Sequence, residues 1–326
     1  MKRGSLLIVT LWMVTLLSVL AIAMAKYLSL EVRLTKYRLA REQAKALARS
    51  GVYLAMQRLA ADAQQADERY DWLGDDWAMF APPEGELDHP AAWIVPLPAA
   101  GSRASERGRV EIQMIDEERK LNLNQIACDP ASATYKAFTN FSETVGWVEK
   151  LVDYHDMDST PCGSNGLEED DAVQPPYKAK DAALVAHEEV LDIPGWPAET
   201  LSTMRQWSTV ADPTTSSNIT LNINTVSPEL LVALGFGQAT AQALAACREQ
   251  GMVFKEASTI LTTAESCAGP SGLSSAERSL LASQFVVASQ TFTVISTGIV
   301  AELAVKVQVE AIVQRSPELK ILAWRE

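Results

Sequence analysis

Seven carboxylates crowd into nineteen residues of this 326-residue chain: Asp153, Asp156, Asp158, Glu168, Glu169, Asp170 and Asp171, with no Lys or Arg between 151 and 177. Oxygen ligands of this kind suit a hard cation such as Ca²⁺, which takes six to eight of them. Pro161, Gly163 and Gly166 interrupt any regular element, so the stretch reads as a loop that can fold back on itself. The spacing is not that of an EF-hand, which needs Gly at the sixth position and Glu at the twelfth. The competing reading is a solvated acidic surface. Four cysteines, Cys128, Cys162, Cys247 and Cys267, contain no C-x-x-C pair, which argues against zinc and thioredoxin-like chemistry. In an oxidising compartment they imply one or two disulfides. Of the three full pairings, Cys247–Cys267 is preferred because both residues flank one predicted helical hairpin. His89, His155 and His187 are scattered, so no His-rich metal site is available. His155 and His187 are expected at the surface or at helix ends, with no serine to activate. The CGSNG run at 162–166 lacks the first Gly and the strand–turn–helix setting of a nucleophile elbow. No catalytic residue is assigned, and the chain does not read as an enzyme.

The elements that position these residues begin with SLLIVTLWMVTLLSVLAIAMA, residues 5–25, which contains no charge. As a helix it would be about 31 Å long, enough to cross a bilayer core. It is longer than a signal-peptide core, although AIAMAK offers an Ala-x-Ala cleavage site. From Lys26 to Asp62 there is no Pro and one Gly, Gly51. Apolar residues Leu30, Leu34, Tyr37, Ala44, Leu47, Ala48, Leu54 and Leu59 recur mostly three, four or seven apart. The pattern predicts one helix from about residue 5 to about 65, its stripe packed on the body or on partner helices. Six cations follow the span within twenty residues, and positive-inside counting would put that side in the cytoplasm.

Residues 67–107 read as loop with a short strand near Ala92–Leu97. RVEIQMID (109–116) alternates as a half-buried strand, and 284–326 reads as three strands, with Ser316-Pro317 turning into the last. Between them lie helix signals. LGFGQATAQAL (234–244) is a helix-hairpin-helix-like segment around Gly235-Phe236-Gly237, and IPGWPAETL (193–201) a decayed second copy. DNA-binding hairpins of this kind hold phosphate on backbone N–H groups with Lys or Arg close by. Here Arg248 and Lys255 face Glu229, Glu249 and Glu256. Residues 1–60 carry ten Lys/Arg against two acids, and the rest eighteen against thirty-nine. A body that acidic is a poor partner for nucleic acid, and none is expected.

A basic leader ending in Gly4, then a long apolar helix running into an amphipathic one, resembles the type IV pilin and pseudopilin N-terminus. IDEERKLNLNQ (115–125), LVDYHDMD (151–158), GLEEDD (166–171) with Tyr177 after it, and LNINTVSPELLVALG (221–235) resemble segments of the K-type minor pseudopilins of type II secretion. The resemblance implies cleavage by prepilin peptidase after Gly4 and methylation of Ser5. Val9 stands where major subunits carry a Glu, as in a tip subunit with no neighbour ahead of it. It implies an α+β fold: a long N-terminal transmembrane/amphipathic helix on an antiparallel pilin-like sheet, with a large inserted α-helical domain containing helix-hairpin-helix-like (SAM-like) segments. The division is leader 1–4, helix 5–66 (5–25 transmembrane), sheet 67–122, insertion 123–283 and last strands 284–326. Family members bind Ca²⁺ near the acidic loop, which makes Asp156, Asp158, Glu168 and Asp170 the expected ligands. Implied partners are the I- and J-type minor pseudopilins, other pseudopilins, the inner-membrane secretion platform and the membrane itself. The implied location is the bacterial inner membrane, single-pass, with the body periplasmic. A membrane-anchored DNA receptor of the competence type is the alternative.

Overall fold

The computed structural model describes residues 3–64, 70–78, 95–96, 108–142, 146–211, 220–269, 272–315 and 318–326. Helix α1 (Arg3–Asp62) runs unbroken for 60 residues, roughly 90 Å at the α-helical rise. Every described side chain from Leu7 to Leu39 is exposed. Above that, Ala40, Ala44, Ala48, Val52, Ala55 and Leu59 are buried on the sheet. The seated face is thus narrower than the expected stripe. Ala44, Ala48 and Leu59 lie in it, Leu47 and Leu54 flank it, and Leu30, Leu34 and Tyr37 remain exposed below the sheet.

The sheet has five antiparallel strands in chain order: β1 (Val95–Pro96), β2 (Gly108–Asp116), β3 (Thr291–Val300), β4 (Val305–Gln314) and β5 (Lys320–Arg325). On β2, Val110, Ile112 and Met114 turn inward against α1, joined by Val294 and Phe292 of β3 and Val309, Ala311 and Val313 of β4. Small residues allow the helix to lie close: a methyl group at Gly298 would overlap the Ala44 carbonyl and the Ala48 N–H. Trp77, inside the stretch expected to be loop, is fully buried and packs edge-on against Phe292 at 4.9 Å. Of the strand expected near Ala92–Leu97, the described part is Val95–Pro96; its remainder and Ser316-Pro317 lie outside the described residues.

Strand β2 ends at Asp116, which pairs with Phe292 of β3, so the chain from 117 to 290 leaves and returns at one corner of the sheet. It holds α2 (Ala133–Ser142), α3 (Trp147–His155), α4 (Thr200–Trp207), α5 (Pro228–Leu234), α6 (Gln238–Glu249), α7 (Ile260–Ala268) and α8 (Ser275–Gln284) around a separate apolar core. Two halves of this insertion repeat one device. Asn122 Oδ1 accepts from the Asn124 N–H at 3.0 Å, and the Asn124 amide donates to the Leu184 carbonyl at 3.1 Å and accepts from its N–H at 2.7 Å. In the second half Asn222 Oδ1 accepts from the Asn224 N–H, and Asn224 grips the Phe254 backbone in the same two ways, each bond 2.9 Å. Each half closes by a two-residue parallel pairing, Leu121–Asn122 with Ser208–Thr209 and Leu221–Asn222 with Phe285–Val286.

At the corner, Asp116 is buried and its Oδ2 accepts from Thr225 Oγ1 at 2.5 Å, Ser289 Oγ at 2.7 Å and Asn222 Nδ2 at 3.3 Å. Arg315, just past β4, donates to both Asp71 carboxylate oxygens (2.8 and 2.5 Å) and to Asp62 at the end of α1 (2.9 Å). Asp71 in turn accepts from the Ser289 N–H at 2.6 Å. Helix, sheet and insertion meet in this one buried network.

Two consequences are measurable. Gly298→Ala forces a methyl into helix backbone that has no flexible end to yield, so it should lower stability by about 1–3 kcal/mol, read as a shifted denaturation midpoint. His187 is half-buried beside Ser208 (Nε2 at 3.2 Å from its carbonyl oxygen), and burial, aided by the Lys120 charge, depresses its pKa to about 4. Between its ordinary value of 6.5 and about 4 the unfolded chain takes up a proton that the folded chain refuses. Its share of stability is therefore present above pH 6.5 and lost as pH falls toward 4. Urea midpoints of His187→Gln measured across that window should show a shallower acid-side decline.

Candidate metal centre

The acidic stretch divides into carboxylates that hold the loop and carboxylates left over. Asp153 belongs to the last turn of α3 and not to the loop; it is completely buried. Its Oδ1 accepts from the Cys162 N–H at 2.7 Å and its Oδ2 from the Leu167 N–H, so one side chain pins both ends of the turn. Gly166 is required there: a methyl would meet Asp153 Oδ2 and the Cys162 backbone. The Cys128–Cys162 disulfide ties the same turn back to the chain entering the insertion.

That framework brings Asp156, Asp158 and Glu168 together, one oxygen from each within 4.8 Å of the others. Asp156 Oδ1 and Glu168 Oε1 are buried without a hydrogen-bond partner. Burial, with the neighbouring Asp158 and Asp153 charges, pushes Asp156 up to about 6. Burial, with Asp153 and Asp156, pushes Glu168 to about 7. Asp181, absent from the sequence expectations, lies beside this set. Its Oδ1 is also buried and unpartnered, it lines the same pocket as Glu168, and its charge acts on both Asp156 and Glu168. A positive φ of 53° holds it there; Asp tolerates that conformation better than most residues. The only sequence signal was one acid ten residues beyond the run. Asp170 is not in the group. It sits in the short pairing Glu169–Asp170 with Tyr177–Lys178, and its Oδ1 accepts from the Ala172 N–H at 2.9 Å, so its carboxylate caps a turn. Acids whose orphaned oxygens converge and repel can hold a divalent cation, which would satisfy them together.

The other expected sites fall as follows. Cys247 is bonded to Cys267, joining α6 to α7, and no described cysteine is free. Gly4 and Ser5 lie in the first turn of α1. His155 and His187 are not surface residues: His155 is buried on the α3 end with its pKa depressed to about 4 by burial, and His187 is half-buried. Against the expectation that no serine partner is near, His187 Nε2 lies 3.2 Å from Ser208 Oγ, but that hydroxyl is buried and donates to the Met204 carbonyl at 2.6 Å. Gly235, at φ 112°, ends α5, and Gly237 opens α6, as the hairpin pattern requires. The anion position of that hairpin is filled from within. Glu277 accepts from the Gly237 N–H at 3.0 Å and caps α8 through Ser274. Burial alone would raise its carboxyl, but these N–H donors hold it below its usual range. A phosphate would meet a carboxylate there.

The fold has a counterpart among solved structures. A chain of the GspK-GspI-GspJ complex from the type 2 secretion system of enterotoxigenic Escherichia coli superposes with a TM-score of 0.65, over 89% of this chain and 98% of that one, at 17% identity. The two chains share a fold. No family model and no curated protein matches the sequence.

Adding a divalent cation to the folded protein should raise its melting temperature. Asp158→Asn, Glu168→Gln and Asp181→Asn should each remove most of that gain, while Asp170→Asn leaves it intact; a thermal-shift titration after chelation checks all four.

Proposed function

We propose that this chain is a minor pseudopilin of the K type, seated at the tip of a type II secretion pseudopilus and helping to start its assembly, and so protein export across the outer membrane. The observation that carries the reading is architectural: a 60-residue helix on an antiparallel sheet with the insertion at one corner, shared over 89% of the chain with a subunit of the GspK-GspI-GspJ complex. Partners would be an I- and a J-type pseudopilin, other pseudopilins and the inner-membrane platform. The work done is packing and not catalysis. Residues 5–25 anchor the chain in the inner membrane, supported by 0% burial of an apolar window with mean hydropathy 2.5. The lower helix, exposed from Tyr27 to Leu39, offers apolar side chains to partner helices.

Two disulfides favour an oxidising compartment for the body, hence the periplasm. Prepilin peptidase would cut after Gly4 and Ser5 would be methylated. Val9 fits the tip because no subunit ahead presents an α-ammonium for a carboxylate to neutralise. The proposed division keeps 5–66 as helix, 67–122 and 284–326 as sheet and 123–283 as insertion. Ca²⁺ is the cation proposed for Asp156, Asp158, Glu168 and Asp181, since an adaptable loop of oxygen donors suits it better than the strict octahedron of Mg²⁺. Its role would be to order the loop. The DNA-receptor alternative is disfavoured by Glu277 in the hairpin's anion position.

Intact mass and N-terminal sequencing of the membrane-extracted protein should give a chain beginning at N-methylated Ser5, and Gly4→Ala should leave it uncut. A chain beginning near Lys26 would mean a cleaved secretory signal and defeat the reading. Co-purification with I- and J-type pseudopilins then tests the tip assignment.

A further inference from the structure

We propose that the helix face just beyond the apolar span binds an acidic phospholipid, whose phosphodiester lies between Lys26 and Arg33; this rests on the membrane anchorage proposed above. Ile22, Ala25, Lys26, Ser29, Leu30 and Arg33 line one shallow groove along α1. Their spacing places them on a single helix face. Ala25 and Ser29 keep its floor low, while Lys26 and Arg33 stand two turns apart, about 10 Å. The order of the groove along the helix is that of a lipid: Ile22 within the apolar run for an acyl chain, then two cations for the phosphate. Arg33 can meet phosphate oxygens with two parallel N–H donors.

The cations of α1 fall into two sets. Lys45 and Arg49 both pair with Glu326, and Arg58 pairs with Asp76. Lys26, Arg33, Lys36, Arg38 and Arg41 are all exposed, and none forms an ion pair among the described residues. Where the helix meets the body its charges are neutralised internally; where it meets the membrane they are left for something else. Residues 61–326 carry eighteen Lys/Arg against thirty-nine acids, so an anionic bilayer would repel the body within a Debye length. A cationic stalk that collects acidic headgroups offsets that repulsion. It also gives a use to the cations that positive-inside counting would place in the cytoplasm. The competing occupant is an acidic side chain on a neighbouring helix.

The test uses the full chain in a neutral detergent, titrated with equal phosphatidylglycerol and phosphatidylcholine and read by native mass spectrometry. Each Lys or Arg near an anionic surface is worth roughly fivefold in affinity, so phosphatidylglycerol should be retained at least tenfold over phosphatidylcholine. Lys26→Gln/Arg33→Gln should bring the ratio to within twofold. Ser29→Leu, which keeps both charges and fills the groove, should lower it severalfold, and Lys306→Gln/Lys320→Gln on the body should leave it unchanged. No preference in the unaltered chain, or a preference that survives the double substitution, overturns the lipid site. So does a double variant that keeps its lipid ratio but no longer co-purifies with its pseudopilin partners, which would assign the cations to a neighbouring helix. Flotation with phosphatidylcholine vesicles after an alkaline wash separates the two readings. A chain that floats but shows no preference loses only the lipid site, and one that does not float loses the anchorage as well.

Discussion

One guanidinium and three carboxylates, nearly out of reach of water, hold this protein together. Arg315 binds Asp71 through both carboxylate oxygens and reaches Asp62, while Asp71 and Asp116 share Ser289 between them. Side-chain exposure is 10% for Arg315 and 1% for Asp71. Groups so placed hold together only when every donor and acceptor is met, because breaking a buried pair leaves an uncompensated charge costing about 3–5 kcal/mol. The network is composed of residues from the end of α1, the chain after it, the end of β2, the middle and exit of the insertion, and the exit of β4. A change at any one is felt by the helix, the sheet and the insertion together. The same crowding of acids around one full cation, after burial itself, keeps Asp116 above its usual carboxylate range.

With that corner fixed, the remaining parts are arranged by close approach. Small residues let α1 lie against the sheet at Gly298, and below that contact the helix carries its large apolar side chains outward. One helix thus changes its surface twice along its length, from an exposed apolar span to an exposed basic stalk to a packed core. The insertion is ordered by a different means. Two asparagine clamps, two disulfides and a carboxylate seated in a hairpin supplement its apolar core, each fixing a loop that apolar contact alone would leave loose. The acidic pocket follows the same rule, with carboxylate oxygens placed so that a divalent cation could join them. All of these are scaffolding devices, and they agree with the assembly role proposed above.

Much of this was legible in the sequence where a single periodicity decides the outcome. The uninterrupted helix, the alternating strand at 110–114 and the last three strands are local patterns, and hydrophobic period alone specifies them. The Asp153–Asp171 run announced itself by composition, and Cys247 and Cys267 by flanking one helical hairpin. What stayed hidden depended on distance along the chain. Asp181 looked like an isolated acid, Trp77 like part of a loop, and Glu277 like an ordinary helix-start residue, because the partners that matter lie from thirteen to more than two hundred positions away. Asp170 misled in the opposite sense: it is adjacent in sequence to the cluster but spent on its own turn.

The sequence by itself determined the class of each segment: an apolar span, a basic stalk, alternating strands, an acidic loop and an even set of cysteines. Those properties are sums over neighbours, and no folding is needed to evaluate them. Only the tertiary structure decided which face of α1 is seated, which carboxylates converge and which are consumed as caps, and that the hairpin's anion position is already taken. Each of these depends on which groups reach one another across the core and on whether a buried oxygen finds a donor, and burial with its demand for partners exists only once the chain has closed on itself.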